Sequence, residues 1–168
     1  MKKIISVFLA GLCLVGCSAQ PATTPEATTD TFTSASVNNF YVDSSWTDDQ
    51  LIEAINNRSG SWTIATVNPD NTPNIAVAVF GMLDDTTLML NLAPNQTGAN
   101  IARTSEAVAI IYQYTNDQEI DKSLRNQGAK LKLELVSEEE FKKYQEENPD
   151  TVTETTLVLR IVEVLPLG

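Results

Sequence analysis

A group of amides and hydroxyls near residue 96 is the strongest candidate for ligand binding in this sequence. Gln96, Thr97 and Gly98 stand where a predicted strand gives way to a short predicted helix. The first turn of a helix has backbone N–H groups without partners, and the helix dipole favours an anion at that end. The Thr97 hydroxyl and the Gln96 amide add side-chain donors, and Gly98 permits a close approach. This turn could therefore hold an anion such as a phosphate.

Each candidate also has a purely structural interpretation. Thr97 could simply cap the helix, and Asn100 could be an ordinary surface residue. Asn74 and Asn91 fall on predicted strands, although asparagine has a low propensity for strands. Their presence there indicates a polar role on a strand face. Asn74 could equally end a hairpin. Trp62 is expected in the core rather than as a stacking platform for a ligand.

The composition excludes several kinds of chemistry. The 168 residues contain no histidine and two cysteines, Cys13 and Cys17. Ser-His-Asp and Cys-His catalysis, an imidazole haem ligand, most zinc sites and a disulfide framework are therefore ruled out. Redox or acid–base chemistry must come from carboxylates, hydroxyls, amides or a bound cofactor.

The charge balance argues against two classes of partner. The chain has 22 acidic and 11 basic side chains and a net charge of −11. Such a surface repels phosphate backbones and anionic headgroups, so we expect no nucleic acid and no membrane binding through a basic patch. With 42% hydrophobic residues the chain can still build a core, and one folded domain is expected.

The first residues are predicted to direct export. Lys2 and Lys3 precede an apolar stretch from Ile4 to Val15, which is too short to span a bilayer as a mature helix. The sequence Leu14-Val15-Gly16-Cys17 resembles the lipobox of bacterial lipoproteins, in which the cysteine receives a lipid. An ordinary signal peptide with an incidental cysteine is the alternative.

This interpretation divides the chain into three parts. Residues 1–16 are the signal peptide, and residues 17–40 are the lipidated Cys17 followed by a flexible tether rich in Ser, Thr, Ala and Pro. Residues 41–168 form the folded domain. We expect the protein on the extracytoplasmic face of a bacterial cell membrane, held there by its lipid.

The polar residues must be positioned by a mainly β domain. Thr47 and Gln50 predict the capping box of a first helix, and Ser137 begins a second box over Glu138-Glu139-Glu140, which favours a helix start over a metal site. Six strands are predicted, with a polar loop over 115–127, and they suggest a small closed antiparallel barrel with short flanking helices. The strands are Ser61–Val67, Asn74–Leu83 and Thr87–Leu92 as a meander, then Ala107–Tyr114, Lys130–Leu135 and Thr156–Pro166.

Four segments, in order, resemble the FMN-binding split barrel of the pyridoxamine 5′-phosphate oxidase-like superfamily. One of them has Asn71 in a hairpin where that superfamily usually has glycine, and together they lie between Trp46 and Pro166. The segments are 60–74, Leu88–Leu92, Gln96–Arg103 with Ala107–Ile110, and Gly128–Leu135.

The resemblance implies a six-stranded antiparallel split β-barrel of the α+β class, a homodimer, and FMN in a cleft at the subunit interface. It places the FMN phosphate near the turn before the second helix, where the superfamily commonly has lysine or arginine and this chain has Gln96 and Thr97. We expect a weaker phosphate contact as a result. The cofactor-binding candidates are Asn74, Asn91, Gln96, Thr97, Asn100 and Gln127.

Two functions follow from this resemblance. The first is a flavin-dependent oxidoreductase or electron-transfer protein, with an electron donor and acceptor that the sequence does not name. The second is a non-catalytic barrel that binds FMN or another planar ligand, or that has lost its cofactor site. Pyridoxamine phosphate oxidation itself is disfavoured, because the arginine and histidine clamp of that enzyme has no counterpart in Arg160–Pro166.

Overall fold

A computed structural model describes residues 45–167. The predicted signal peptide over 1–16, the lipidated Cys17 and the tether over 17–40 lie outside the described residues. The elements are α1 (Asp48–Asn56), β1 (Ser61–Val67), β2 (Pro73–Val77), β3 (Gly81–Asp84), β4 (Thr87–Asn91), α2 (Gln96–Thr104), β5 (Glu106–Tyr114), a 3₁₀ helix (Lys122–Leu124), β6 (Asn126–Leu135), α3 (Glu138–Glu147) and β7 (Thr156–Leu165).

The strands form one antiparallel sheet in the order β2-β1-β5-β6-β7-β4-β3. Its two edge strands, β2 and β3, are consecutive in the chain and are separated only by residues 78–80. Since a three-residue segment joins the two edges, the sheet must curl until they come close. The predicted mainly β barrel is confirmed.

The described residues hold seven strands rather than the six predicted, because the expected strand Asn74–Leu83 is two strands. Its first half pairs with β1 and its second half pairs with β4, at the opposite edge of the sheet. Ala78 and Phe80 are buried in between. The residues between the two strands, 78–80, are apolar as well. The hydrophobic pattern therefore shows no break at this crossing, where the chain passes from one edge of the sheet to the other.

The core fills the barrel from alternate positions of the strands. Trp62 and Ile64 of β1 point inward with Leu131 and Leu133 of β6, and all four are buried. Burying a side chain of this size stabilises the fold by about 1.5–3 kcal/mol. The Trp62 ring stacks on Phe80 with centroids 6.0 Å apart, so the expectation that Trp62 belongs to the core is confirmed.

Both predicted capping boxes are present. The backbone N–H of Thr47 donates to Gln50 Oε1 at 3.0 Å, and Ser137 and Glu140 form the equivalent pair at the start of α3. On α3, Lys142 forms an ion pair with Glu138 at 2.7 Å. Lys143 pairs with Glu147 at 3.9 Å, one turn further along the helix.

The loop between β5 and β6 is shorter than predicted. It ends at Arg125, whose guanidinium donates to the carbonyls of Gln118 and Ile120, and β6 already begins at Asn126. Gln127, expected in the loop, is therefore a strand residue opposite Gln113. The first residues of β6 are polar and do not alternate with apolar ones, so hydrophobic periodicity does not reveal that the strand begins at Asn126. Among the described residues, no helix is long and apolar enough to cross a membrane.

Candidate functional site

Helix α2 brings most of the predicted site residues together against strands β1 and β2. Its N-cap is Asn95, whose Oδ1 accepts a hydrogen bond from the Gly98 N–H at 2.9 Å. Residues 97, 100 and 101 form the buried side of the helix, as their spacing of three and four requires. Thr97 and Asn100 therefore face β1 and β2 rather than solvent.

Thr66 on β1 is the centre of this arrangement. Its Oγ1 accepts hydrogen bonds from the side-chain amides of Asn74 and Asn100, both at 3.0 Å. The Asn74 amide also donates to Thr97 Oγ1 at 2.9 Å. The exposed fractions are 5% for Thr66, 3% for Thr97 and 0% for Asn100. We call Thr66, Asn74, Gln96, Thr97 and Asn100 the polar cluster.

A chain of four hydrogen bonds, which we call the amide relay, continues from the cluster into the β1–β2 turn. Gln96 Nε2 donates to Asn100 Oδ1 at 2.8 Å, and Asn100 Nδ2 donates to Asn68 Oδ1 at 2.9 Å. Asn68 Nδ2 donates to Thr72 Oγ1 at 3.0 Å, and that hydroxyl donates to Asp70 Oδ1 at 2.6 Å. Every bond in the relay points toward the Asp70 carboxylate.

Asp70 is ionised at neutral pH. The Thr72 hydroxyl and the Thr72 backbone N–H both donate to its carboxylate, and these bonds hold the pKa of Asp70 below its usual range. The relay therefore ends on a full negative charge. The turn places Asn71 in the left-handed region, at φ 64°, a conformation that glycine and asparagine adopt more readily than other residues.

The sequence analysis missed Thr66, Asn68, Asp70 and Thr72 as members of this site. A detectable signal was present for Thr66, because the alternation of β1 places its hydroxyl on the inward face beside Trp62 and Ile64. The other three were assigned only to a turn. Their side chains are connected to the cluster through the bond between Asn68 and Asn100, which are 32 residues apart in the chain.

Two predicted site residues bond to other partners. Asn91 Oδ1 accepts from the Thr156 hydroxyl at 2.6 Å across the β4–β7 pair. Gln127 Oε1 accepts from the Gln113 amide at 3.0 Å across the β5–β6 pair. The structure therefore brings together Asn74, Gln96, Thr97 and Asn100, while Asn91 and Gln127 form separate pairs between strands.

A cleft of about 460 Å³ opens where β1 begins and β2 ends, and it has the size of a small-molecule site. Trp62 and Ala78 belong to its wall, and Thr66 and Asn74 pair four residues further along the same two strands. At 3.3 Å per strand residue the separation is roughly 13 Å. The cleft is lined by Arg58, Gly60, Ser61, Trp62, Thr63, Val77, Ala78 and Val79.

The surroundings of the cleft and the cluster are almost free of charge. Asp70 is the only charged residue from Ser59 to Leu83, and residues 86–102 contain none. Arg58 borders the cleft, and Arg103 in the last turn of α2 donates to the Val67 carbonyl. An uncharged planar ring suits this cleft, whereas the polar cluster presents neutral groups to a phosphate.

The outer side of β2 and of the residues that follow it exposes an apolar surface. Ile75, Val77 and Val79 are 71%, 79% and 57% exposed. In register, Val77 lies beside Thr63, which lies beside Ile110, itself 38% exposed. We call Ile75, Val77, Val79 and Ile110 the apolar face.

Comparison with solved structures finds the same architecture in an FMN-binding protein from Syntrophomonas wolfei subsp. wolfei. It is 26% identical in sequence, the match covers 72% of this chain and 88% of that chain, and the TM-score is 0.51. The fold is a split barrel. Over residues 45–167 the barrel has seven strands rather than the six expected.

A second split barrel of similar architecture is a conserved hypothetical protein from Mycobacterium tuberculosis. It is 17% identical, the match covers 73% of this chain and 85% of that chain, and the TM-score is 0.50. This likeness concerns the fold alone. No protein-family model and no curated protein matches the sequence.

Proposed function

We propose that this split barrel binds a flavin, with FMN as the expected ligand, in the cleft at the start of β1 and the end of β2. The observation that carries the proposal is a cleft with a single charged lining residue, Arg58, in line with a buried polar cluster along one strand pair. A long ligand could place an apolar ring in the cleft and a polar tail toward the polar cluster. The likeness to an FMN-binding protein from Syntrophomonas wolfei supports the same ligand.

The residues of this chain would bind and orient the ligand. Val77, Ala78 and Val79 form one wall of the cleft, and the Trp62 side chain, fixed by its stack on Phe80, forms another. The Trp62 indole N–H donates to the Ser59 carbonyl, which further fixes that wall. A bound flavin would supply the electron or hydride transfer, and the protein its position and electrostatics.

The functional candidates are a flavin-dependent oxidoreductase or electron-transfer protein and a binding module without turnover. One observation favours the second. Within residues 45–167, the carboxylates with a lowered pKa lie in turns, at the end of β3 or on α3, and the cleft lining includes no carboxylate. The described lining therefore offers the cleft no carboxylate as acid or base, so turnover would depend on chemistry of the flavin and its redox partner.

We also propose that a second copy of the chain covers the apolar face. Contiguous exposed apolar residues on an edge strand commonly mark an association site. Val77 and Val79 line the proposed cleft and Ile75 lies two residues before Val77 on β2, so a partner placed there would also close the cleft. The superfamily resemblance likewise implies a homodimer with its flavin cleft at the subunit interface.

The proposed location is the extracytoplasmic face of the membrane, through a lipid on Cys17. This proposal is supported by the sequence Leu14-Val15-Gly16-Cys17 after a short charged and apolar leader. An electron-transfer protein or a ligand carrier held there would act on molecules outside the cytoplasm.

The absorption spectrum of the purified protein tests flavin binding. We expect the visible bands of an oxidised flavin to survive gel filtration, or to appear after the protein is incubated with FMN. The variant Ser61→Trp fills the cleft from its rim and should abolish binding, whereas Glu146→Trp on the exposed side of α3 should leave it unchanged. A colourless protein that does not quench FMN fluorescence would contradict the proposal.

A further inference from the structure

We propose that the flavin phosphate adds no affinity in this barrel, so that riboflavin binds about as tightly as FMN. The inference rests on the proposed function, since it concerns the same cleft. It departs from the phosphate site expected at Gln96 and Thr97, because the structure shows how those residues are already used.

The donors expected to hold a phosphate are engaged inside the protein. One Asn74 amide group donates to both Thr66 and Thr97, and the Asn100 amide donates to Thr66 and Asn68. Gln96 donates to Asn100. Because Thr97 and Asn100 are almost completely buried, a phosphate could reach them only by breaking bonds that the folded protein needs.

The direction of the amide relay also disfavours an added anion. From Gln96 through Asn100, Asn68 and Thr72, each donor points toward the ionised Asp70 carboxylate. The donors of the relay therefore already stabilise one negative charge, that of Asp70. A phosphate dianion at the Gln96 end would compete with that carboxylate for the same donors, and the two like charges would repel each other.

The start of α2 offers little in compensation. The Asn95 side chain accepts the Gly98 N–H, which removes one of the backbone donors that an anion would use. Arg103 is the only charged residue in Gln96–Thr104, and it lies in the last turn, where it donates to the Val67 carbonyl. A phosphate at the start of α2 would therefore lie among neutral groups and in the field of a chain with a net charge of −11.

Fluorescence titration of the purified protein with FMN and with riboflavin tests the inference. We expect dissociation constants that agree within about threefold. Raising the salt from about 20 to 200 mM should leave riboflavin binding unchanged and should leave FMN binding unchanged or slightly tighter, because salt screens the repulsion between the phosphate and the acidic protein.

Two variants identify the cause. Gln96→Lys should tighten FMN about fivefold at low salt without changing riboflavin, since a charged donor adds a contact that only the phosphate can use. Asp70→Asn should tighten FMN alone by a smaller factor. Glu146→Gln removes the same charge from α3 and should change neither ligand.

The outcomes separate this inference from the proposed function. FMN that binds at least tenfold tighter than riboflavin would overturn the inference while leaving flavin binding intact. If that preference disappeared in Arg58→Gln, the phosphate would lie at the Arg58 end of the cleft. If neither flavin bound, the proposed function would fail and the inference with it.

Discussion

Thr97 illustrates how a residue predicted to bind a ligand can also contribute to the stability of the fold. Its hydroxyl accepts a hydrogen bond from Asn74 in a position that is 3% exposed. Thr97→Val keeps the shape of the side chain and leaves the buried Asn74 amide with one acceptor fewer. We expect the free energy of unfolding, measured by chemical denaturation without ligand, to fall by about 1–3 kcal/mol.

The exposed Thr151 provides the matched control. Thr151→Val makes the same chemical change at the surface and should alter the free energy of unfolding by less than about 0.5 kcal/mol. If Thr97→Val were as stable as the wild type and only its flavin affinity fell, Thr97 would be a ligand-binding residue after all. The first expectation, from its place at the helix start, would then be restored.

At the scale of elements, the docking of α3 on the sheet predicts a specific dependence on pH. The Arg160 guanidinium on β7 contacts Glu140 of α3 at 2.5 Å and, with the Ser137 cap, lowers the pKa of Glu140 to about 2. A lowered carboxyl pKa stabilises the fold fully above the ordinary value of 4.5, and the contribution is lost as the pH falls from there toward 2. The Tyr144 hydroxyl, which donates to Asp84, holds the same helix to β3.

We therefore expect Glu140→Gln to lower the melting temperature at pH 7, and the difference from wild type to shrink steadily between about pH 4.5 and pH 3. Thermal unfolding followed by circular dichroism measures this difference. For Glu146→Gln on the same helix, the melting temperature should differ from that of the wild type by the same amount at every pH in this range. A difference for Glu140→Gln that is as large at pH 3 as at pH 7 would show that the ion pair is not the cause.

At the scale of the whole molecule, the apolar face predicts association. Val77 is 79% exposed on the edge strand β2, and lysine there would place a charge in the proposed interface. We expect light scattering to give about twice the monomer mass for the wild type and the monomer mass for Val77→Lys. Ile120→Lys, on the loop between β5 and β6, should remain dimeric. A wild type that is monomeric at every concentration tested would refute the second-copy proposal.

The anchor is tested at the same scale. Cys17→Ala removes the proposed lipid attachment residue, so the variant should accumulate as unprocessed precursor. The measurement is electrophoretic mobility together with partitioning into the detergent phase. Processing and partitioning identical to those of the wild type would eliminate the lipoprotein proposal.

The sequence by itself determined the local structure of the described domain. Capping boxes at Thr47 and Ser137, the alternation of Leu131 and Leu133, and the hairpin turn at Asn71 depend on residues near one another in the chain. Their energies are local, so their patterns can be recognised without a fold. The barrel class followed from their order.

The tertiary structure alone decided the strand pairing and the role of the polar residues. The crossing at residues 78–80 exists because β2 and β3 pair with different strands, and the apolar pattern is the same in either arrangement. Thr66 meets Asn100 across 34 residues, so their bond depends on how α2 packs on β1. An amide has the same hydrogen-bonding groups whether it faces a ligand or a neighbouring side chain, and packing determines which of the two it meets.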